Sequence, residues 1–94
     1  MNAMVHVVHE THPEIVNRLK RAGGHLRKTI VMIEAGRTCL DLAQQLHAIE
    51  KAVAAAKKAL IHDHIDHCLA HAASEDAVQA RRAMAEFKTI TKYL

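Results

Sequence analysis

The stretch Ile61-His62-Asp63-His64-Ile65-Asp66-His67-Cys68-Leu69 sets three histidines, two aspartates and a cysteine within nine consecutive residues. His64 and Cys68 are four residues apart, so on a helix they share one face, one turn above the other. Neutral imidazole together with thiolate suits borderline and soft ions such as zinc, nickel, cobalt or copper(I), not calcium or magnesium. A metal site takes three or four ligands, so the pair by itself is incomplete.

The surrounding sequence reads as helix throughout, and an all-α fold of three helices per chain is expected. No sustained apolar alternation and no Asn-Gly or Asp-Gly hairpin turn marks a strand. Residues 1–11 read as a histidine-bearing tail and residues 12–94 as a single helical domain. Thr11-His12-Pro13-Glu14 combines a capping box with a first-turn proline. Ile15, Leu19, Leu26, Ile30 and Ile33 then recur at helical spacing. Gly23-Gly24 weakens this helix by about 1 kcal/mol per glycine, which suggests a close backbone approach or a kink there. Gly36 stands where a C-cap is expected. Thr38-x-x-Asp41 opens a second helix that can run to about Ala73, and Ser74-Glu75-Asp76 starts a third with Ser74 as the cap. Val78, Met84, Phe87, Ile90 and Leu94 give the last helix its apolar side.

Within the second helix Cys39, Leu42, Leu46, Ile49, Val53, Ala56 and Leu60 alternate steps of three and four, a heptad seam. Continuing from Leu60 in steps of four reaches His64 and Cys68. In one straight helix Cys39 and His64 lie about 37 Å apart by the 1.5 Å rise, so they cannot share an ion. An antiparallel second copy crossing near Ala52 and Val53 brings Cys39 of one chain beside His64 and Cys68 of the other. The alanine run at the crossing allows close approach. An isologous antiparallel dimer with two equivalent sites is therefore expected. Composition points the same way: 94 residues with one Phe, one Tyr and no Trp offer few bulky side chains to close a core.

The formal net charge of +3 permits a nucleic-acid partner without demanding one. Met1 to Val8 lacks the cationic start of a signal peptide, and no apolar run approaches the ~20 residues of a membrane span, so a cytoplasmic location without a membrane partner is expected. Two cysteines in that compartment read as ligands, reactive thiols or buried small hydrophobes. In the first helix Arg18, Arg21, His25 and Lys28 follow one face, flanked by Lys20 and Arg27, and could meet phosphates. Lys57 and Lys58 are further basic candidates, and a solvated helix surface explains the same pattern. There is no Gly-rich phosphate loop and no Ser/His/Asp set, so neither an enzyme nor a small-molecule substrate is expected.

Arg18-Leu19-Lys20-Arg21-Ala22-Gly23-Gly24-His25-Leu26-Arg27, Arg37-Thr38-Cys39 and His64-Ile65-Asp66-His67-Cys68 together resemble the CsoR/RcnR family of metal- and formaldehyde-responsive repressors. The match runs from about Pro13 to the C-terminus, with a weaker portion over Phe87–Lys92. The resemblance implies a helical antiparallel dimer, paired into a homotetramer, whose apo form binds operator DNA and leaves it when metal binds. It tips Arg18 and Arg21, with Lys20 and Arg27, towards DNA contact. Cys39, His64 and Cys68 match three of the family's ligand positions. The fourth, near the N-terminus, is a histidine in the nickel and cobalt sensors. His6 is the choice there and His9 the reserve.

Copper sensors of the family resemble one another in a tyrosine before the first cysteine and a glutamate in the third helix. Here Thr38 and, by count, approximately Arg82 fall in those columns, which disfavours copper(I). The formaldehyde branch has a proline where Asn2 stands, and the persulfide branch a cysteine in place of His64. Two imidazoles with two thiolates allow square-planar nickel(II) or tetrahedral cobalt(II) or zinc(II), whereas copper(I) needs only the three-ligand subset. The expected function is a Ni(II)- or Co(II)-responsive repressor, with a Cu(I) sensor as the alternative. A metal buffer or delivery protein using His64, His67, Cys68 and His71 within one helix is a reading of a different class.

Overall fold

The computed structural model describes residues 12–94. Three helices make up the described chain: α1 over His12–Glu34, α2 over Cys39–Ala72 and α3 over Ala77–Ile90, with a 3₁₀ turn at Thr91–Tyr93. The described residues contain no strand, and the all-α expectation holds. They divide into two compact units, one ending at Lys57 and the other spanning Lys58–Leu94, and α2 contributes residues to both.

The first unit holds α1 and the N-terminal part of α2. Its buried residues are Ile15, Ala22, Thr29 and Met32 of α1 with Ile49 and Ala56 of α2. Positions 15, 22 and 29 form a heptad row of small and medium side chains, which favours close helix pairing. Thr29 is completely buried, and its hydroxyl donates to the His25 carbonyl at 2.8 Å, so no polar atom of that side chain is left unmatched. His25 Nε2 meets Gln45 Oε1 at 2.6 Å and ties α1 to α2. Beyond Ile15, the aliphatic row expected to face the core is only partly covered: Leu19, Leu26, Ile30 and Ile33 remain exposed. Beside Ile15, this helix buries Ala22, Thr29 and Met32.

The helix ends follow the local sequence closely. Gly36 has φ 79°, and the N–H groups of Gly36 and Arg37 bond the carbonyls of Ile33 and Met32, each at 3.1 Å. These two bonds make a complete Schellman cap. Thr38 Oγ1 accepts from the Asp41 N–H at 3.2 Å, so α2 opens as expected. The α3 cap differs from expectation. Asp76 accepts from the N–H groups of Val78 and Gln79, while Ser74 Oγ accepts the Asp76 N–H. The carboxylate sits one residue before the helix and reaches two of its orphan donors, whereas Ser74 closes a tight turn two residues earlier.

The glycine pair departs from expectation too. α1 is continuous through Gly23 and Gly24, and a Cβ added at either would meet only the Arg27 guanidinium, at 3.7 and 3.8 Å. Both are ordinary van der Waals distances, so nothing within the chain requires glycine at either position.

Gly36→Ala should destabilise the protein by about 1 kcal/mol, since a Cβ there meets nothing but is held at positive φ. Denaturant unfolding with an unchanged m-value and a lowered midpoint checks this.

Candidate metal centre

In the second unit the C-terminal part of α2 faces α3. His64 and Cys68 stand one helical turn apart on α2, and Glu86 reaches them from α3. Cys68 is 2% exposed, and the unit's other buried residues are Ile61 and Ala83. His64 Nε2 lies 3.2 Å from Glu86 Oε2, and Cys68 Sγ lies 4.0 Å from the same oxygen. The three donor atoms fall within 4.8 Å of one another.

That spacing fits a metal ion. Bonds of roughly 2.0–2.3 Å place tetrahedral ligand atoms about 3.3–3.8 Å apart, so side-chain rotations of under about 1 Å close the set. Imidazole nitrogen, thiolate sulfur and carboxylate oxygen together suit a borderline divalent ion. The His64–Glu86 contact can serve in two ways: as a hydrogen bond that orients the ring, or with the carboxylate as an oxygen donor itself. A groove of ≈ 380 Å³ lined by His64, Ala85, Glu86, Thr89, Ile90 and Tyr93 opens onto this face of the unit.

Electrostatics make the centre proton-loaded without a cation. Burial pushes the Cys68 thiol above its ordinary value, and the Glu86 carboxylate raises it further by disfavouring a second negative charge. A bound cation reverses both effects, since it replaces the proton as the positive partner of sulfur.

Of the residues singled out in the sequence, His64 and Cys68 are brought together. Cys39 is the exposed first residue of α2 and belongs to the first unit. His6 and His9 lie outside the described residues. Glu86 was missed. Counting placed Arg82 in the third-helix acidic column, but Arg82 is exposed and Glu86, one turn later, makes the contact. Residues 73–76 between α2 and α3 set that register, and their conformation is what a column count lacks. The absence of a third-helix glutamate therefore no longer weighs against copper(I); Thr38 still stands in the tyrosine column.

On the first unit, Arg18, Arg21 and His25 line a groove of ≈ 360 Å³ with Ala22, Ala52 and Ala55. Arg18 is paired with Glu14 at 3.0 Å, and Lys20 and Arg27 are exposed. Lys57 and Lys58 are exposed as well.

A family model described as metal-sensitive transcriptional repressor matches residues 11–93. The chain belongs to this family. A copper-sensing transcriptional repressor CsoR from Bacillus subtilis is 38% identical over 81 residues, covering 84% of this chain and 80% of that protein. The CsoR of Mycobacterium ulcerans is 32% identical over 77 residues, and the match covers 82% of this chain and 66% of the relative's length. Among solved structures, the nickel-responsive transcriptional regulator InrS aligns with a TM-score of 0.78 and 30% identity, over 95% of this chain and 100% of that one. The family likeness thus spans relatives named for two different metals. No described helix is long and apolar enough to cross a membrane.

Glu86→Gln removes the carboxylate's share of the Cys68 shift, so the apo-protein's thiolate absorbance should titrate at lower pH than in the parent. It should remain above an unburied cysteine, because burial is the larger cause. The sign carries to stability: the unfolded chain releases this proton first, so the parent apo fold weakens as pH rises through the thiol range, and less so in Glu86→Gln.

Proposed function

We propose that this chain is a metal-responsive repressor whose apo form binds operator DNA and is released by Ni(II) or Co(II). The observation carrying this reading is the His64, Cys68 and Glu86 donor group in a chain of the metal-sensitive repressor family. With Glu86 as the hydrogen-bond partner of His64, two imidazoles and two thiolates are left for the ion, a set that suits nickel(II) or cobalt(II). Cys39 of the partner subunit and His6, with His9 in reserve, join His64 and Cys68 as the four ligands. Cu(I) is the second reading. It is favoured by the relatives named as copper-sensing and by an acidic group in α3 that meets His64.

An antiparallel dimer, paired into a tetramer, supports the shared site. Leu46, Val53 and Leu60 recur every seven residues and are 44%, 45% and 41% exposed, against 8% and 1% for Ile49 and Ala56 on the same predicted seam. One half of the seam is thus used within the chain and the other half left for a second helix. The exposed Leu19, Leu26, Ile30 and Ile33 of α1 offer another apolar row of the same kind. A single 94-residue chain leaves these rows uncovered, and association removes them from water at roughly 25 cal/mol per Å².

DNA contact is assigned to Arg18, Arg21, Lys20 and Arg27. Arg18 and Arg21 share a groove and a helix face, and both supply phosphate donors without base specificity. Release follows if the metal-bound dimer holds α1 differently from the apo dimer, because an ion shifts an equilibrium only through its differential affinity for two states. A site spanning two chains and a tail histidine has that property.

Operator-fragment binding with nickel, cobalt, copper(I) and zinc titrated in turn tests the reading. Cys39→Ala should lower metal affinity at least tenfold while leaving apo binding to DNA unchanged. An affinity within twofold of the parent would favour a metal buffer that uses α2 alone. The His6→Ala/His9→Ala double variant should still bind DNA but no longer be released by nickel. Arg21→Ala should weaken operator binding and reduce its logarithmic salt slope by about one, as expected for a lost phosphate contact.

A further inference from the structure

Helix α2 carries a second pair of imidazoles that the proposed function leaves unused. His67 and His71 are four residues apart, with ring centroids 4.3 Å from one another and ring planes inclined at 54°. An imidazole nitrogen bonds zinc and its neighbours at about 2.0–2.1 Å, which places a ring centre roughly 3.2 Å from the ion. Two adjacent imidazoles on one ion then have centres about 4.5–5.2 Å apart, from square to tetrahedral angles. The His67–His71 separation falls just short of this span, so widening it by a few tenths of an ångström with one nitrogen of each ring turned to the ion would meet it. The His64–His67 separation of 6.1 Å lies beyond it. His67 therefore goes with His71, and His64 stays with Cys68 and Glu86.

We propose that His67 and His71 form a second, weaker metal site, separate from the His64–Cys68–Glu86 centre, for a hydrated divalent ion of the late first row. His71 is exposed and His67 half-buried, so the remaining coordination positions are open to water. Two nitrogens and no thiolate select Cu(II), Ni(II) or Zn(II) over copper(I), following the ordinary affinity order for imidazole sites. Asp63, one turn before His67 on the same helical row, adds a negative charge that favours a cation there. With two protein ligands the bound ion is exchangeable, and it is held one helical turn from the tighter centre. The site thus concentrates ions beside that centre without the proton release that the buried Cys68 requires.

The test is Ni(II) titration of the tag-free full chain, followed by calorimetry and by NMR of the histidine ring protons. After the tight centre fills, the parent protein should take up one further, weaker equivalent per chain, which broadens the His67 and His71 ring signals. His71→Ala places a good helix former at an exposed position, so folding should be kept. It should abolish the weaker equivalent and leave the tight affinity within twofold; His67→Gln should do the same. The proposal is overturned if the parent takes no second equivalent, or if the weaker equivalent survives in both variants. It is also overturned if His71→Ala lowers the tight affinity as far as His64→Ala, since the four residues would then be one centre.

Discussion

The buried thiol of Cys68 beside the Glu86 carboxylate is the constraint on which the rest of the molecule depends. Burial of the sulfur, and next to it the Glu86 carboxylate, both disfavour the thiolate, so the thiol holds its proton to higher pH than an exposed cysteine does. His64 shares the same carboxylate oxygen, and its ring orientation is tied to the state of that group. In the proposed site a metal ion would change proton occupancy, hydrogen bonding and ring orientation in one event. These are the local changes a switch needs, and they occur where α2 meets α3.

The second physical theme is what the helices leave uncovered. The core positions of α1 and α2 mix small residues such as Ala22, Thr29 and Ala56 with Ile15, Met32, Ile49 and Ile61, whereas many other large aliphatics lie half in solvent. Small residues allow helices to approach closely but remove little apolar area per contact, so the chain's own packing uses only some of its larger side chains. A partner helix on Leu46, Val53 and Leu60 resolves this. In the proposed dimer the same association delivers Cys39 of the partner subunit to the donor group. Stability and ligand completion are then one process, and metal binding becomes sensitive to the geometry of the pair.

Helix boundaries were legible because they rest on residues within five positions of one another. Gly36 at positive φ and Thr38 over the Asp41 N–H are local interactions, and they stand where the sequence puts them. The α3 cap was misplaced by two residues because Ser74 and Asp76 both suit the role. Only the backbone path of the turn decides which side chain reaches the orphan amides. The Gly23-Gly24 pair likewise carries no signal for its neighbour, the guanidinium of Arg27.

By itself the sequence determined the all-helical class and the one-turn spacing of His64 and Cys68. It also determined the heptad row from Cys39 to Leu60, since each follows from the 3.6-residue period and nearest-neighbour chemistry. Only the tertiary structure decided that Glu86, not the residue counted at position 82, meets His64 and Cys68. The same holds for Ala22 and Thr29 beside Ile15 and Met32 on the buried face of α1, while rotamers within α2 set the His67 ring nearer His71 than His64. The reason is register and rotamer: a turn between two helices slides one along the other by whole residues, and a ring rotates by several ångströms. A linear pattern records neither.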